Sequence, residues 1–183
     1  MRIVGTSVLL LALAGCTTGP DTSQAVPAAP IVEQLREKWE ATRNQIATAA
    51  EAVPEDKYDF KATPEVRSFR ELLIHLVSEN YLFMGMVSGE THDRERFNSL
   101  TSRDEILQAL TESYDYGAGV LAGLSDADAV ATVDFRGAPE PRWVVVIRNL
   151  KDNHEHYGNL VTYLRLNGIV PPRTAARQRN SEG

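Results

Sequence analysis

Apolar residues recur at helical spacing in four blocks separated by polar or proline-containing stretches. The first runs from about Ile31 to Ala52 and aligns Leu35, Trp39 and Ile46, with Val53 just beyond. "VPEDKYDFKATPEVRSF" interrupts it with two prolines. Ser68 then stands as an N-cap, and Glu71 three residues on completes a capping box. Phe69, Leu72, Leu73, Leu76, Val77, Phe83, Met84 and Val87 follow on a 3.6-residue period. After the polar "SGETHDRERFNS", a third block from about Ser102 to Leu124 carries Ile106, Leu110, Tyr114 and Leu121. Gly117, Gly119 and Gly123 lower its helical preference. "DFRGAPEPR" breaks the pattern again. The fourth block, about Trp143 to Leu166, places Trp143, Ile147, Leu150, Tyr157, Val161 and Leu164 in register. "WVVVI" alone also reads as a strand, but its continuation in helical period favours a helix, which Gly168 and a double proline close. The pattern predicts an all-α fold, a four-helix bundle, over residues 31–172. Residues 173–183 carry no apolar pattern and read as a disordered tail.

The chain has 183 residues and 43% apolar content, enough for one domain with its own core. Its net charge of -6, with no basic stripe, excludes the electrostatic footprint of a nucleic-acid binder. The amino terminus adds an address. Arg2 precedes a short apolar run, Val8 to Ala14, too short to span a bilayer and typical of a signal peptide core. It ends in Leu13-Ala14-Gly15-Cys16, which resembles the bacterial lipobox. The resemblance implies removal of residues 1–15 and lipidation of Cys16, with a Thr-, Ser-, Pro- and Ala-rich tether over residues 16–30. The other reading is an ordinary secretory leader with an incidental cysteine. Cys16 is the only cysteine, so no intramolecular disulfide forms. Thr17, rather than Asp, follows it, which points by analogy to the outer membrane of a bacterial cell envelope, facing the periplasm.

Candidate chemistry concentrates in "KDNHEHYGNLVTYLR". A helix places Asp152 and His156, four apart, on one face, where they offer a carboxylate oxygen and an imidazole nitrogen to one cation. His154 has no carboxylate or imidazole at such an offset and shares the apolar register. A surface helix pair between Asp152 and His156 is the alternative. His75 lies inside the apolar "FRELLIHLVSENYLF", where a histidine is either a packed, hydrogen-bonded side chain or a ligand. Glu79 is either a further partner or a solvated rim charge. His92, in a polar loop, receives no role, and Tyr157 is expected to pack in the bundle.

The segments "VPEDKYDFKATPEVRSFRELLIHLVSENY" and "NHEHYGNLVTYLRLNGIVPP" resemble the DinB-like superfamily of bacterial four-helix proteins, over about Ile31 to Pro172. The resemblance implies a metal site with one histidine on the second helix and two, four apart, on the last. Those positions fall on His75, Asp152 and His156, so a carboxylate replaces one imidazole. Two histidines and one carboxylate form a known facial set for divalent metals with open positions; zinc is favoured, with nickel, manganese or iron as alternatives. The implied function is a metal-dependent hydrolase or transferase using a metal-activated water or thiol, acting on an unidentified small molecule. The alternative is a non-catalytic, periplasm-facing binding or structural lipoprotein with a vestigial site.

Overall fold

Four long helices carry the core: α1 (Ile31–Glu51), α2 (Phe69–Ser88), α3 (Arg103–Ala122) and, after a short α4 (Asp126–Val130) and a hairpin of β1 (Thr132–Phe135) and β2 (Ala138–Pro141), α5 (Arg142–Leu166). A last helix, α6 (Pro172–Ser181), follows. The computed structural model describes residues 30–181. The leader, Cys16 and all but the last residue of the expected tether lie outside the described residues. Among the described residues no helix is long and apolar enough to cross a membrane.

Helix starts follow from local chemistry. Ser68 and Glu71 exchange side-chain and backbone bonds in the expected capping box, and Ser102–Glu105 and Ser125–Asp128 repeat it at α3 and α4. α1 begins at Pro30 without a side-chain cap of its own. The Asp126 carboxylate supplies one from α4, accepting from Ile31 N at 3.2 Å and Val32 N at 2.9 Å.

α1 and α2 each pack against both α3 and α5. The first two helices therefore stand diagonally across the bundle. Leu35, Trp39, Ile46, Val53 and all eight apolar residues expected from α2 are buried, as are Ile106, Leu110, Tyr114 and Leu121. Trp39 donates from Nε1 to Tyr114 O at 3.0 Å, with the two rings edge to face at 5.3 Å. Gly117 makes this possible: a Cβ there would lie 2.1 Å from Trp39 Cζ2. One of the three glycines that weaken the helical pattern thus admits the indole.

Three sequence expectations are corrected. The buried stripe of α5 holds Val145, Val146, Asn149, Leu150, Asn153, Leu160, Tyr163 and Leu164, while Trp143 and Ile147 are 38% and 42% exposed. Asn149 and Asn153 occupy core positions that a hydrophobic count reads as surface. The break at "DFRGAPEPR" is an antiparallel hairpin in which Arg136 and Gly137 turn the chain at φ 56° and 89°. Its Phe135 stacks on Phe83 at 6.0 Å. The tail, expected to be disordered, forms α6. Proline at its first position and the Ala175-Ala176 pair favour helix, and Arg173 Nη1 reaches Gln45 Oε1 at 3.4 Å.

Candidate metal centre

His75, Asp152 and His156 each offer one ligand atom, and these atoms all lie within 4.8 Å of one another. The α2 register that buries Leu72 and Leu76 leaves His75 half-buried on the side facing α5. Asp152 and His156 stack one turn apart on α5, with Asp152 Oδ1 3.6 Å from His156 Nε2. The His75 and His156 rings meet edge to face at 4.7 Å. The Asn159 amide approaches the other ring nitrogen, His156 Nδ1, at 3.4 Å, so Nε2 is the nitrogen turned to Asp152.

Burial shifts the protonation of two of the three groups. Burial, then the charge of Arg67, pull the His75 pKa from 6.5 down to about 4, so the ring stays neutral with a free lone pair at ordinary pH. Burial also pushes the Asp152 carboxyl above its usual range, against the attraction of His156 and His75. Asp152 Oδ2 is buried with no hydrogen-bond partner among the described residues. A buried acceptor without a donor, beside two imidazoles, is a ligand set that a cation would satisfy. Two imidazole nitrogens and a carboxylate oxygen are ligand types that suit a divalent cation.

The site opens to two clefts. One, of about 770 Å³, includes His75 in its wall; the other, of about 580 Å³, includes His156. Glu65, Val66 and Arg67 line both. Tyr163 anchors that segment from α5 by donating its hydroxyl to Arg67 O.

The remaining candidates separate from the cluster. His154, expected in the apolar register, is exposed, and its Nδ1 donates to Leu150 O at 2.7 Å. Glu79 pairs with Arg94 at 3.4 Å. Tyr157 packs against the core as expected. His92 is not a loop bystander: its ring lies 5.0 Å from Tyr81 and 4.7 Å from Tyr116. Sequence reasoning missed Arg67 and Asn159. Arg67 sits beside the Ser68 cap in a stretch that reads only as a linker, and Asn159 stands three residues past His156, where only the helix brings it back.

Behind the site lies a buried polar network. Tyr114 donates to Asn153 Oδ1 at 2.7 Å, Asn153 Nδ2 to Asn80 Oδ1 at 3.0 Å, and Asn80 Nδ2 to Ser113 Oγ at 3.1 Å. It joins α2, α3 and α5 at the residue next to Asp152 and thereby fixes the rotation of α5.

The model of the DinB superfamily matches residues 38–160. The chain belongs to the DinB superfamily. It is similar in structure to a DinB-like protein from Bacillus cereus, at 15% identity and a TM-score of 0.70, over 76% of this chain and 95% of that one. A DinB-like protein from Bacillus subtilis matches at 19% identity and a TM-score of 0.63, over 74% of this chain and 92% of that one. At such identities the likeness establishes the fold alone. No curated protein sequence matches the chain.

Proposed function

We propose that His75, Asp152 and His156 hold one divalent cation, zinc by preference and nickel, manganese or iron as alternatives, and that the protein is a metal-dependent hydrolase or transferase. The observation that carries the reading is the convergence of three ligand atoms from two helices within 4.8 Å, with Asp152 Oδ2 left without a donor. His75 contributes a neutral nitrogen. Asp152 contributes negative charge that offsets part of the cation's. Asn159 steadies the His156 ring. Three protein ligands would leave a bound cation room for a water, thiol or substrate atom. A cation bound there supplies Lewis acidity and lowers the pKa of a water or thiol that reaches it. The carboxylate makes the centre a weaker Lewis acid than three imidazoles would.

The lipobox supports a second part of the proposal: lipid on Cys16 anchors the domain to a membrane of the cell envelope, the outer membrane facing the periplasm. Mass spectrometry of the mature amino terminus checks it; an unmodified terminus elsewhere overturns it.

Elemental analysis of protein purified without a metal-binding tag tests the metal reading. The expected result is one divalent cation per chain. Metal-free protein that takes up none on dialysis against zinc, nickel, manganese or iron leaves the Asp152–His156 contact as an ordinary helix pair and supports a non-catalytic lipoprotein.

A further inference from the structure

The basic groups around the larger cleft are neutralised, with one exception. Lys61 pairs with Glu71 at 2.9 Å, Arg70 with Asp59 at 2.7 Å, and Arg94 with Glu79 at 3.4 Å. Arg67 makes no ion pair and no side-chain hydrogen bond among the described residues. Thr63 and its own backbone hold the carboxyl of Glu65, the carboxylate nearest in sequence, below the usual range, and it forms no ion pair with Arg67 among the described residues. Yet Arg67 is the cationic side chain that lines both clefts, one containing His75 and the other His156.

Its position is held. Tyr163, buried against Phe60 and Phe69, fixes the Arg67 carbonyl, and the next residue is the Ser68 cap of α2. Only the side chain is left to move. A guanidinium beside a divalent cation repels it, so Arg67 costs the metal site affinity. An anion between them would attract both. The planar fork of a guanidinium matches a carboxylate in two parallel hydrogen bonds.

We propose that Arg67 is the substrate-anchoring residue of this site and that the substrate is a small carboxylate-bearing molecule, whose carboxylate meets Arg67 while its reacting group faces the cation. The inference rests on the metal reading above. It assigns a specificity role to a residue outside the ligand set.

The probes are acetohydroxamate, which chelates a metal and carries no charge elsewhere, and a series of hydroxamates of increasing chain length that end in a carboxylate. Each is titrated calorimetrically into zinc-loaded wild type and Arg67→Ala, after titration of zinc alone into both. The wild type should prefer one carboxylate-bearing member over acetohydroxamate by about tenfold or more, as expected for a charge-assisted pair. Added salt should erode the preference, because Arg67 is exposed. Arg67→Ala should lose the preference, bind acetohydroxamate as the wild type does, and bind zinc at least as tightly. No preference in zinc-loaded wild type, or a preference that survives in Arg67→Ala, overturns this proposal alone. Weaker zinc binding in Arg67→Ala also overturns it, since Arg67 would then support the site's structure. Wild type that takes up no zinc overturns the metal reading and this proposal together.

Discussion

The Tyr114 hydroxyl donates to Asn153 Oδ1 at 2.7 Å, tying α3 to α5 one residue from Asp152. Both groups are buried, so neither can exchange its partner for water. Asn153→Ala also strips the donor from Asn80 Oδ1 and should cost about 2–4 kcal/mol in urea denaturation. Tyr114→Phe, which removes one bond, should cost about 1–2 kcal/mol. Near-neutral effects in both would show that packing alone sets the rotation of α5.

A pair of glycine substitutions on α3 separates close packing from helix propensity. Gly117→Ala drives a methyl into Trp39 and should destabilise by about 1–3 kcal/mol. Gly119→Ala meets nothing within 4 Å and should stabilise by up to about 1 kcal/mol. Thermal or urea midpoints moving the same way in both variants would contradict the packing found here.

The legibility of the chain follows the chemistry of its core. α1, α2 and α3 bury apolar residues at nearly every inward position, so their period gave the bundle directly. α5 buries Asn149 and Asn153, and an apolar count slid its face towards Trp143 and Ile147. That slip also placed His154 inward, although the structure exposes it. The four-residue strands hid because β2 contains two prolines and its turn uses Arg136 rather than Asn or Asp. Within the site, the spacing of Asp152 and His156 was readable, since a helix fixes it. His75 was placed by family resemblance, because no local pattern tells which helix α5 will meet. Arg67 needed the tertiary structure.

The metal-free protein should lose stability with acid through His75. Burial and the charge of Arg67 lower its folded pKa from 6.5 to about 4, so the unfolded chain takes the proton first as pH falls. Stability from this group is complete above pH 6.5 and is lost as pH drops through about 4. Asp152, whose pKa is raised, acts in the opposite sense: its contribution declines as pH rises through its folded pKa. Replacing His75 with Gln should therefore flatten the loss between about pH 7 and about pH 4.5, read as urea midpoints. Equal losses in wild type and variant would show that His75 titrates normally.

Asp152 should be the most informative ligand to exchange. Asp152→Asn removes the charged oxygen and should weaken cation binding beyond the roughly 10–100-fold typical of outer partners. In the metal-free state it should cost little stability, because Oδ2 has no donor to lose. Asp152→His restores three imidazoles and should keep or strengthen binding where the larger ring fits. Undiminished affinity in Asp152→Asn, measured by competition with a chromogenic chelator, would remove Asp152 from the ligand set.

Calorimetric titration of zinc into metal-stripped wild type, His75→Ala, His156→Ala and His154→Ala tests the central claim most directly. His154 is exposed and lies outside the cluster, so its loss should leave stoichiometry and affinity unchanged. Wild type and His154→Ala should each bind one cation per chain, while His75→Ala and His156→Ala should lose that site. Wild type that binds none, or a site abolished by His154→Ala and retained in His156→Ala, would contradict the account.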